Sequence, residues 1–273
     1  MRSTPSPRLA IVSSALAGVR LGVAGAAAGW PVLLGRAVFY VLLLIVLSAL
    51  WDKVAAERLT GTLAAALPKG GLAVYIGVTE WITLSVPAIH LRLEDDIRSG
   101  ALEAHLLRPK PYLVQRTAEA VGAMLVRLTV TGAAALLMLA ASGRAWPAPG
   151  VLVALAVAGP RGGMTGVLLY AVAGLSAFWV RRTLPAMLVI QKATFLLGGL
   201  FAPITLYPAW LARLGAASPF AAHLFWPAVL TLSPSPGTFA LALAVQGLWI
   251  ALLIGLIALI WRAGLRRTLR GDL

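Results

Sequence analysis

The chain has 273 residues, of which 60% are hydrophobic and 12% are charged, whereas a soluble domain carries about 25% charged residues. This balance leaves too much apolar surface for water to cover, and it excludes a soluble globular enzyme, a disordered tail and a fibrous protein. Lysine and arginine outnumber the acids by 23 to 9, for a formal net charge of +14. In a soluble protein that excess would indicate nucleic-acid binding, but in a membrane protein it first indicates orientation.

The N-terminal stretch 9–29 is apolar but weaker than a membrane span, because Arg20 interrupts it. We expect an interfacial helix there, which lies at the cytoplasmic face and turns into the first span. Gly18 and Gly22 are one helical turn apart. They either permit close approach of another helix or follow by chance from a composition rich in glycine and alanine.

Six later runs are apolar enough to cross a bilayer, which needs about 20 such residues per helix. They cover residues 35–51, 72–91, 117–141, 151–180, 184–203 and 239–261. The sequence therefore predicts an all-α membrane protein, with six transmembrane helices in a single transmembrane domain over residues 1–273.

The basic residues sort by side of the membrane once the N-terminus is placed in the cytoplasm. Of the 23, 15 then fall in cytoplasmic segments, 5 on the opposite side and 3 within spans. This excess is what the positive-inside rule predicts for six spans with both termini in the cytoplasm. The net charge therefore indicates a multi-pass protein of the cytoplasmic (inner) membrane, and no nucleic acid is expected as a partner.

Segment 92–116 joins the second and third spans and mixes acids with basic residues. Ser99 can cap a short helix over residues 100–107. Leu102 and Leu106 are four residues apart and would share one face of that helix. A short helix with an apolar ridge suits insertion into a groove on a soluble partner. The alternative is a solvated loop whose leucines rest on the lipid headgroups.

Segment 204–238 lies on the extracellular side before the last span and is too apolar for a water-exposed loop. It also contains several prolines, so neither half can form a helix long enough to cross the bilayer and return. We expect short interfacial or re-entrant helices there. The alternative is a hydrophobic cap packed on the bundle.

Two strings in these segments resemble a known family. The first resembles the D-I-x-x-G…L-L-R-P signature that follows the second span in permease subunits of ABC exporters; it runs Asp96-Ile97-Arg98-Ser99-Gly100, then Leu102, then Leu106-Leu107-Arg108-Pro109. The second resembles the proline pattern before their last span; it comprises Gly199, Pro203, Pro208, Trp210, Pro219, Phe220 and Pro227. Over most of its length the chain is similar to the small six-span permeases of the type-2 export class.

The resemblance implies half of a transmembrane channel, which pairs with a second copy or a sister permease and with cytoplasmic ABC ATPase subunits. The short helix after the second span would be the coupling helix, through which the ATPases switch the pair between inward and outward access. The residues that map onto it are Asp96, Gly100, Leu102, Leu106, Arg108 and Pro109. An apolar lining with few charges favours a hydrophobic or amphipathic cargo, such as a drug or a lipid.

No cofactor is expected on this chain, and ATP with Mg²⁺ would bind to the partner ATPase. A phosphate-binding loop needs Gly-Lys-Ser/Thr, and no glycine precedes any of the four lysines. Membrane lipid is the remaining expected partner. Catalytic and metal-ligating residues are not expected.

Glu80 and Lys192 lie at similar depth in the second and fifth predicted spans and carry opposite charges. A charge at mid-bilayer costs about 2.5–3.5 kcal/mol, so such residues usually face a bundle interior or a partner. The sequence leaves three alternatives for them, which are a structural ion pair, a contact to substrate and a proton relay.

Two rival functions come from other classes. A lipid-modifying membrane enzyme would use a divalent metal at the acidic residues Glu94, Asp95, Asp96 and Glu103. A secondary transporter or channel would need an internal repeat or several polar residues near the bilayer midplane. Neither pattern is evident, and the exporter permease remains the favoured interpretation.

Overall fold

The computed structural model describes residues 7–57, 71–107, 111–143, 146–200 and 202–270. Within these ranges the chain forms twelve α-helices and no strand. They are α1 (Pro7–Ala28), α2 (Trp30–Glu57), α3 (Gly71–Ser85), α4 (Ile89–Arg98), α5 (Ala101–Leu106), α6 (Tyr112–Ala141), α7 (Pro149–Leu175), α8 (Leu184–Leu197), α9 (Ala209–Ala216), α10 (Pro219–His223), α11 (Phe225–Val229) and α12 (Pro236–Leu269). The all-α prediction is confirmed.

Six described stretches are long and apolar enough to cross a membrane, which agrees with the predicted number. They are Ile11–Ala28, Trp30–Trp51, Gly71–Arg98, Tyr112–Ala141, Pro149–Phe178 and Pro236–Thr268. Five of them overlap predicted spans. The N-terminal stretch takes the sixth place instead of the predicted span 184–203.

The predicted span 184–203 was too long. Helix α8 has 14 residues and ends at Leu197, because two glycines follow it. The Gly198 N–H donates to the Thr194 carbonyl at 3.0 Å, and Gly199 then takes the left-handed conformation, with φ of 68°. Glycine adopts that conformation without strain, and helices commonly end in this way.

The predicted span 72–91 is interrupted. Helix α3 ends at Ser85 and α4 begins at Ile89, because Pro87 has no N–H to continue the helical hydrogen bonds. One freed carbonyl, that of Leu84, accepts a hydrogen bond of 2.6 Å from Nη1 of Arg36 on α2. A guanidinium is well suited to this position, since carbonyl oxygens at a helix C-terminus carry partial negative charge.

Helix α1 packs along α6 in the same direction, with Gly18 against Ala118 and Gly22 against Ala123. A Cβ on Gly22 would overlap the backbone of Glu119, so the structure supports close approach as the role of these glycines. Helix α2 also runs in the direction of α6. The chain therefore does not turn back between α1 and α2, although each is long and apolar enough for a span.

The pairs of residues in contact show the relative directions of the longer helices. Helices α2 and α6 run one way, and α3 with α4, α7 and α12 run the other. The pairs in contact are Arg36 with Leu84, Tyr40 with Gly77, Trp81 with Leu128, Asp96 with Tyr112, Trp81 with Gly159, Leu93 with Gly174, Ala158 with Gln246, and Phe178 with Gly264. Since α7 and α12 are parallel, α8 and the segment after it return the chain to the start of α12.

The core of the bundle lies around α3, α4 and α7, which are more buried than the other long helices. Helix α7 presents glycines to its neighbours, and these leave room for large side chains. Trp81 lies against Gly159, and His223 of α10 lies against Gly162 and Gly166. Because Gly162 and Gly166 are near the middle of α7, α10 reaches into the bundle. Segment 204–238 therefore does not lie only on the end of the bundle, and its re-entrant or interfacial position stays a prediction.

Candidate functional site

The candidate site is one end of the bundle, called here the α5 end, where α4, α5 and the start of α6 meet. The turn before α5 depends on Gly100, whose φ of 74° lies in the left-handed region. The Ser99 hydroxyl donates to the Asp95 carbonyl at 2.6 Å. Helix α5 therefore begins at Ala101 rather than at residue 100, and Gly100 occupies the cap position that was predicted for Ser99.

The leucines of α5 face two ways. Leu102 is 2% exposed and packs in the core of the bundle, whereas Leu106 is 41% exposed and Leu107 89%. The predicted ridge of Leu102 and Leu106 is thus divided, since Leu102 holds α5 to the bundle. The exposed apolar surface consists of Leu106 and Leu107. Arg108 and Pro109, also assigned to the coupling helix, lie outside the described residues.

Asp96 ties the end of α4 to the start of α6. Its Oδ2 accepts a hydrogen bond of 2.6 Å from the Tyr112 hydroxyl and one of 2.9 Å from Nε of Arg116, whose Nη2 is 2.8 Å away. Arg116 also contacts Glu119, which pairs with Arg92 of α4 at 2.7 Å. Charge-assisted bonds of this kind are about twice as strong as neutral ones.

Glu94 ties the same helix to α8. Its Oε2 accepts hydrogen bonds from the Thr183 N–H at 2.8 Å and the Thr183 hydroxyl at 2.6 Å, and Thr183 is the residue before α8. A carboxylate there satisfies an otherwise unpaired N–H and faces the positive end of the helix dipole. Arg182 and Arg98 approach Oε1 of Glu94 at 3.4 and 3.5 Å.

Helix α4 therefore carries two carboxylates with separate destinations. Asp96 holds the first turn of α6, and Glu94 holds the N-terminus of α8. Because α5 follows α4 after a two-residue turn, a force applied at Leu106 and Leu107 would act on both helices. The α5 end is therefore linked through α4 to both α6 and α8.

The partners Tyr112, Thr183 and Glu119 were not identified from the sequence. One local signal was present, because Thr183 followed by Pro185 is typical of a helix start. The sequence separations between donors and acceptors, 16 residues for Asp96 and 89 for Glu94, explain why pattern alone did not pair them.

The structure does not bring Glu80 and Lys192 together. Glu80 is buried in α3, whereas Lys192 is exposed on α8 with its Nζ 5.4 Å from the Phe195 ring centroid. Among the residues described, no ion pair joins the two. Counting depth along the chain ignored the rotation of each helix.

The four acids considered for a metal site do not face a common point either. Glu94 binds Thr183 and Asp96 binds Arg116, while Asp95 and Glu103 are exposed. Over the described part of the chain, no group of three or more histidines or acids is close enough to hold a metal ion.

Long apolar helices in alternating directions, with a polar cluster at one end, are the architecture of a multi-pass membrane protein. The family described as ABC-2 family transporter protein matches residues 72–269, from α3 to the last residue of α12. The chain belongs to this family and is an ABC-2 type permease. No match was found among curated proteins.

Proposed function

We propose that this chain is the permease subunit of an ATP-driven exporter in a cytoplasmic membrane, with both termini and the α5 end in the cytoplasm. Separate ATPase subunits bind to α5 and supply ATP and Mg²⁺. Their closure moves α5, and α4 passes the movement to α6 and α8. The proposal rests on the ABC-2 family match and on one observation, the exposed pair Leu106–Leu107 on a helix that Leu102 and Asp96 hold to the bundle.

A second permease, identical or a sister subunit, completes the pathway. Helices α1, α2, α6 and α12 bury few of their residues in the single chain. In a membrane that surface suits lipid and another permease alike, so it supports pairing without choosing between a homodimer and a heterodimer.

The cargo we propose is a hydrophobic or amphipathic molecule. An apolar groove of about 420 Å³ opens between α7, α8 and α12, where Trp179, Ile190 and Ile260 are among its lining residues. The groove is open rather than enclosed, and its apolar lining agrees with a cargo of this chemical class.

The test is co-purification of the full chain from its native membrane. The change Leu106→Asp with Leu107→Asp places two charges on the proposed contact surface, where they would be desolvated on docking. We expect the chain to insert normally but to lose the soluble ATPase that accompanies the unchanged protein, and transport to stop.

The matched control is Leu214→Asp, which places the same charge on an exposed leucine of α9, away from the α5 end. This variant should keep the ATPase. Undiminished ATPase binding by the Leu106/Leu107 variant would contradict the proposal. A chain that transports alone on a proton gradient would instead support the secondary-transporter alternative.

A further inference from the structure

An apolar cavity and a basic cavity lie next to each other along α12, near the α5 end. The apolar one is the groove of about 420 Å³ between α7, α8 and α12. The basic one, called here the arginine depression, is an open cavity of about 700 Å³, and its described lining consists of Ala263, Arg266, Arg267 and Arg270. Ile260 lines the groove and Ala263 lines the depression. Because residues three apart are neighbours on one face of a helix, the two cavities are about one turn apart.

The groove lies toward the middle of the bundle, and the arginine depression lies toward its end. Helices α7 and α12 both run toward the α5 end. On α12, Ile260 precedes the arginines, and on α7, Val172 and Ala173 line the groove before the helix ends at Leu175. A lipid in this leaflet has the same polarity, since its acyl chains point to the hydrocarbon core and its headgroup lies outside that core.

An exposed tryptophan marks the boundary between the two cavities. Trp179 lines the groove and is 44% exposed, and tryptophan is enriched at the membrane–water interface. The preceding residue, Phe178, packs against Gly264 of α12, where a Cβ would overlap the Phe178 ring. Trp179 therefore lies beside the turn of α12 that separates Ile260 from Arg266.

Helices α7, α8 and α12 carry no acid that could balance the arginine depression. Between residues 120 and 270 the sequence contains no aspartate or glutamate, and Asp272, which follows, lies outside the described residues. Arg266 and Arg270 are exposed, and within the described ranges neither forms an ion pair. Their guanidinium donors are thus accessible to an anion from outside the chain.

The acids at the α5 end belong to other helices. They all lie on α4, α5 and α6, and they are Glu94, Asp95, Asp96, Glu103 and Glu119. The positive-inside rule explains an excess of arginine at a cytoplasmic end, but it does not explain this separation of acids from arginines. The separation leaves the α12 side of this end suited to a negatively charged ligand.

We propose that the groove and the arginine depression together bind an acidic phospholipid from the leaflet at the α5 end. An acyl chain lies in the groove, and the lipid phosphate accepts hydrogen bonds from Arg266 and Arg270. A neutral lipid would leave these arginines without a counter-ion, whereas basic pockets between membrane helices recognise anionic headgroups. The inference rests on the proposed function for the groove as the place of an amphipathic molecule, and it adds that this molecule is an anion.

The test uses the full chain reconstituted into nanodiscs that contain phosphatidylcholine and phosphatidylglycerol. Native mass spectrometry measures which lipids stay bound after release from the disc. We expect phosphatidylglycerol to be retained preferentially. Arg266→Gln with Arg270→Gln should reduce that preference about fivefold, because the headgroup loses its charged partners. Ala186→Phe fills the groove and should instead reduce the retention of both lipids.

Matched controls separate this site from general attraction between basic residues and acidic lipid. Arg20→Gln with Arg213→Gln removes two exposed arginines from α1 and α9 and should leave the preference unchanged. Ala193→Phe changes another half-buried alanine of α8, outside the groove lining, and should leave lipid retention unchanged. Excess glycerol phosphate carries the headgroup charge without an acyl chain and should not displace the lipid.

Three results would overturn the proposal. They are an equal preference in the unchanged chain and the Arg266/Arg270 variant, an equal loss in the Arg20/Arg213 variant, and full lipid retention by Ala186→Phe. Complete displacement by glycerol phosphate would also overturn it, because the site would then bind a free anion. No ATPase takes part in this measurement, so a chain that keeps the lipid preference but purifies without an ATPase would contradict the proposed function alone.

Discussion

The α5 end and segment 198–235 both lie next to a membrane helix, yet different forces hold them in place. At the α5 end, Glu94 and Asp96 form charge-assisted bonds to neighbouring helices. In segment 198–235, the described residues form no ion pair, and Ala221 and Leu224 are fully buried. Directional bonds at a partly exposed end can exchange partners during a movement, whereas a close-packed segment resists displacement. Under the proposed function, the first region is the one that moves and the second is the one that stays fixed.

The largest effect is expected from filling space beneath the packed segment. A Cβ on Gly162 would collide with the His223 carbonyl of α10, so Gly162→Val should reduce stability by about 3 kcal/mol or prevent folding. Gly255→Val is the control, since no atom lies within 4 Å of a Cβ there. Detergent-induced unfolding measures both variants. Similar losses in both would show that close packing does not hold this segment.

A smaller loss is expected at the contact between α4 and α8. Glu94→Ala removes two hydrogen bonds from Thr183 and leaves its buried N–H without a partner, which should cost about 2 kcal/mol. Asp95→Ala, at an exposed neighbouring acid, should change stability little, and Glu94→Gln should fall between them. If Asp95→Ala costs as much as Glu94→Ala, the contact to α8 is not what stabilises this end.

The smallest effect is expected at the solvent-facing pair of the same network. The Arg92 side chain is 67% exposed, and exposed pairs contribute about 0–1 kcal/mol. Arg92→Gln should therefore lower stability by less than about 0.5 kcal/mol at physiological salt, with unfolding followed as above. A loss equal to that of Glu94→Ala would place Arg92 among the structural contacts rather than the adjustable ones.

Hydropathy and charge placement predicted the helical class and five of the six candidate spans, because apolar run length is a local property. They missed the break at Pro87 and the early end of α8 at Gly198. Hydropathy averaged over a window does not register one proline or a glycine pair, although each residue breaks a helix by a known mechanism.

The candidate site was predicted in part. Gly100 and the exposure of Leu106 agree with a short helix held between two spans. The burial of Leu102 and the bonds of Glu94 to Thr183 depend on how α4 meets α7 and α8, which no local pattern encodes. The supposed pair of Glu80 and Lys192 was not found for the same reason, since two residues at equal depth can face different neighbours.

The most direct test of the central claim is a cross-link from α5. The chain contains no cysteine, so Leu107→Cys introduces a single reactive thiol at the most exposed leucine of the α5 end. In native membranes, a thiol-to-amine cross-linker should join this position to a soluble ATPase, and trapping ATP should change the yield. Leu214→Cys on α9 should give no such product. Absence of an ATPase product from Leu107→Cys, or an equal product from both positions, would contradict the account.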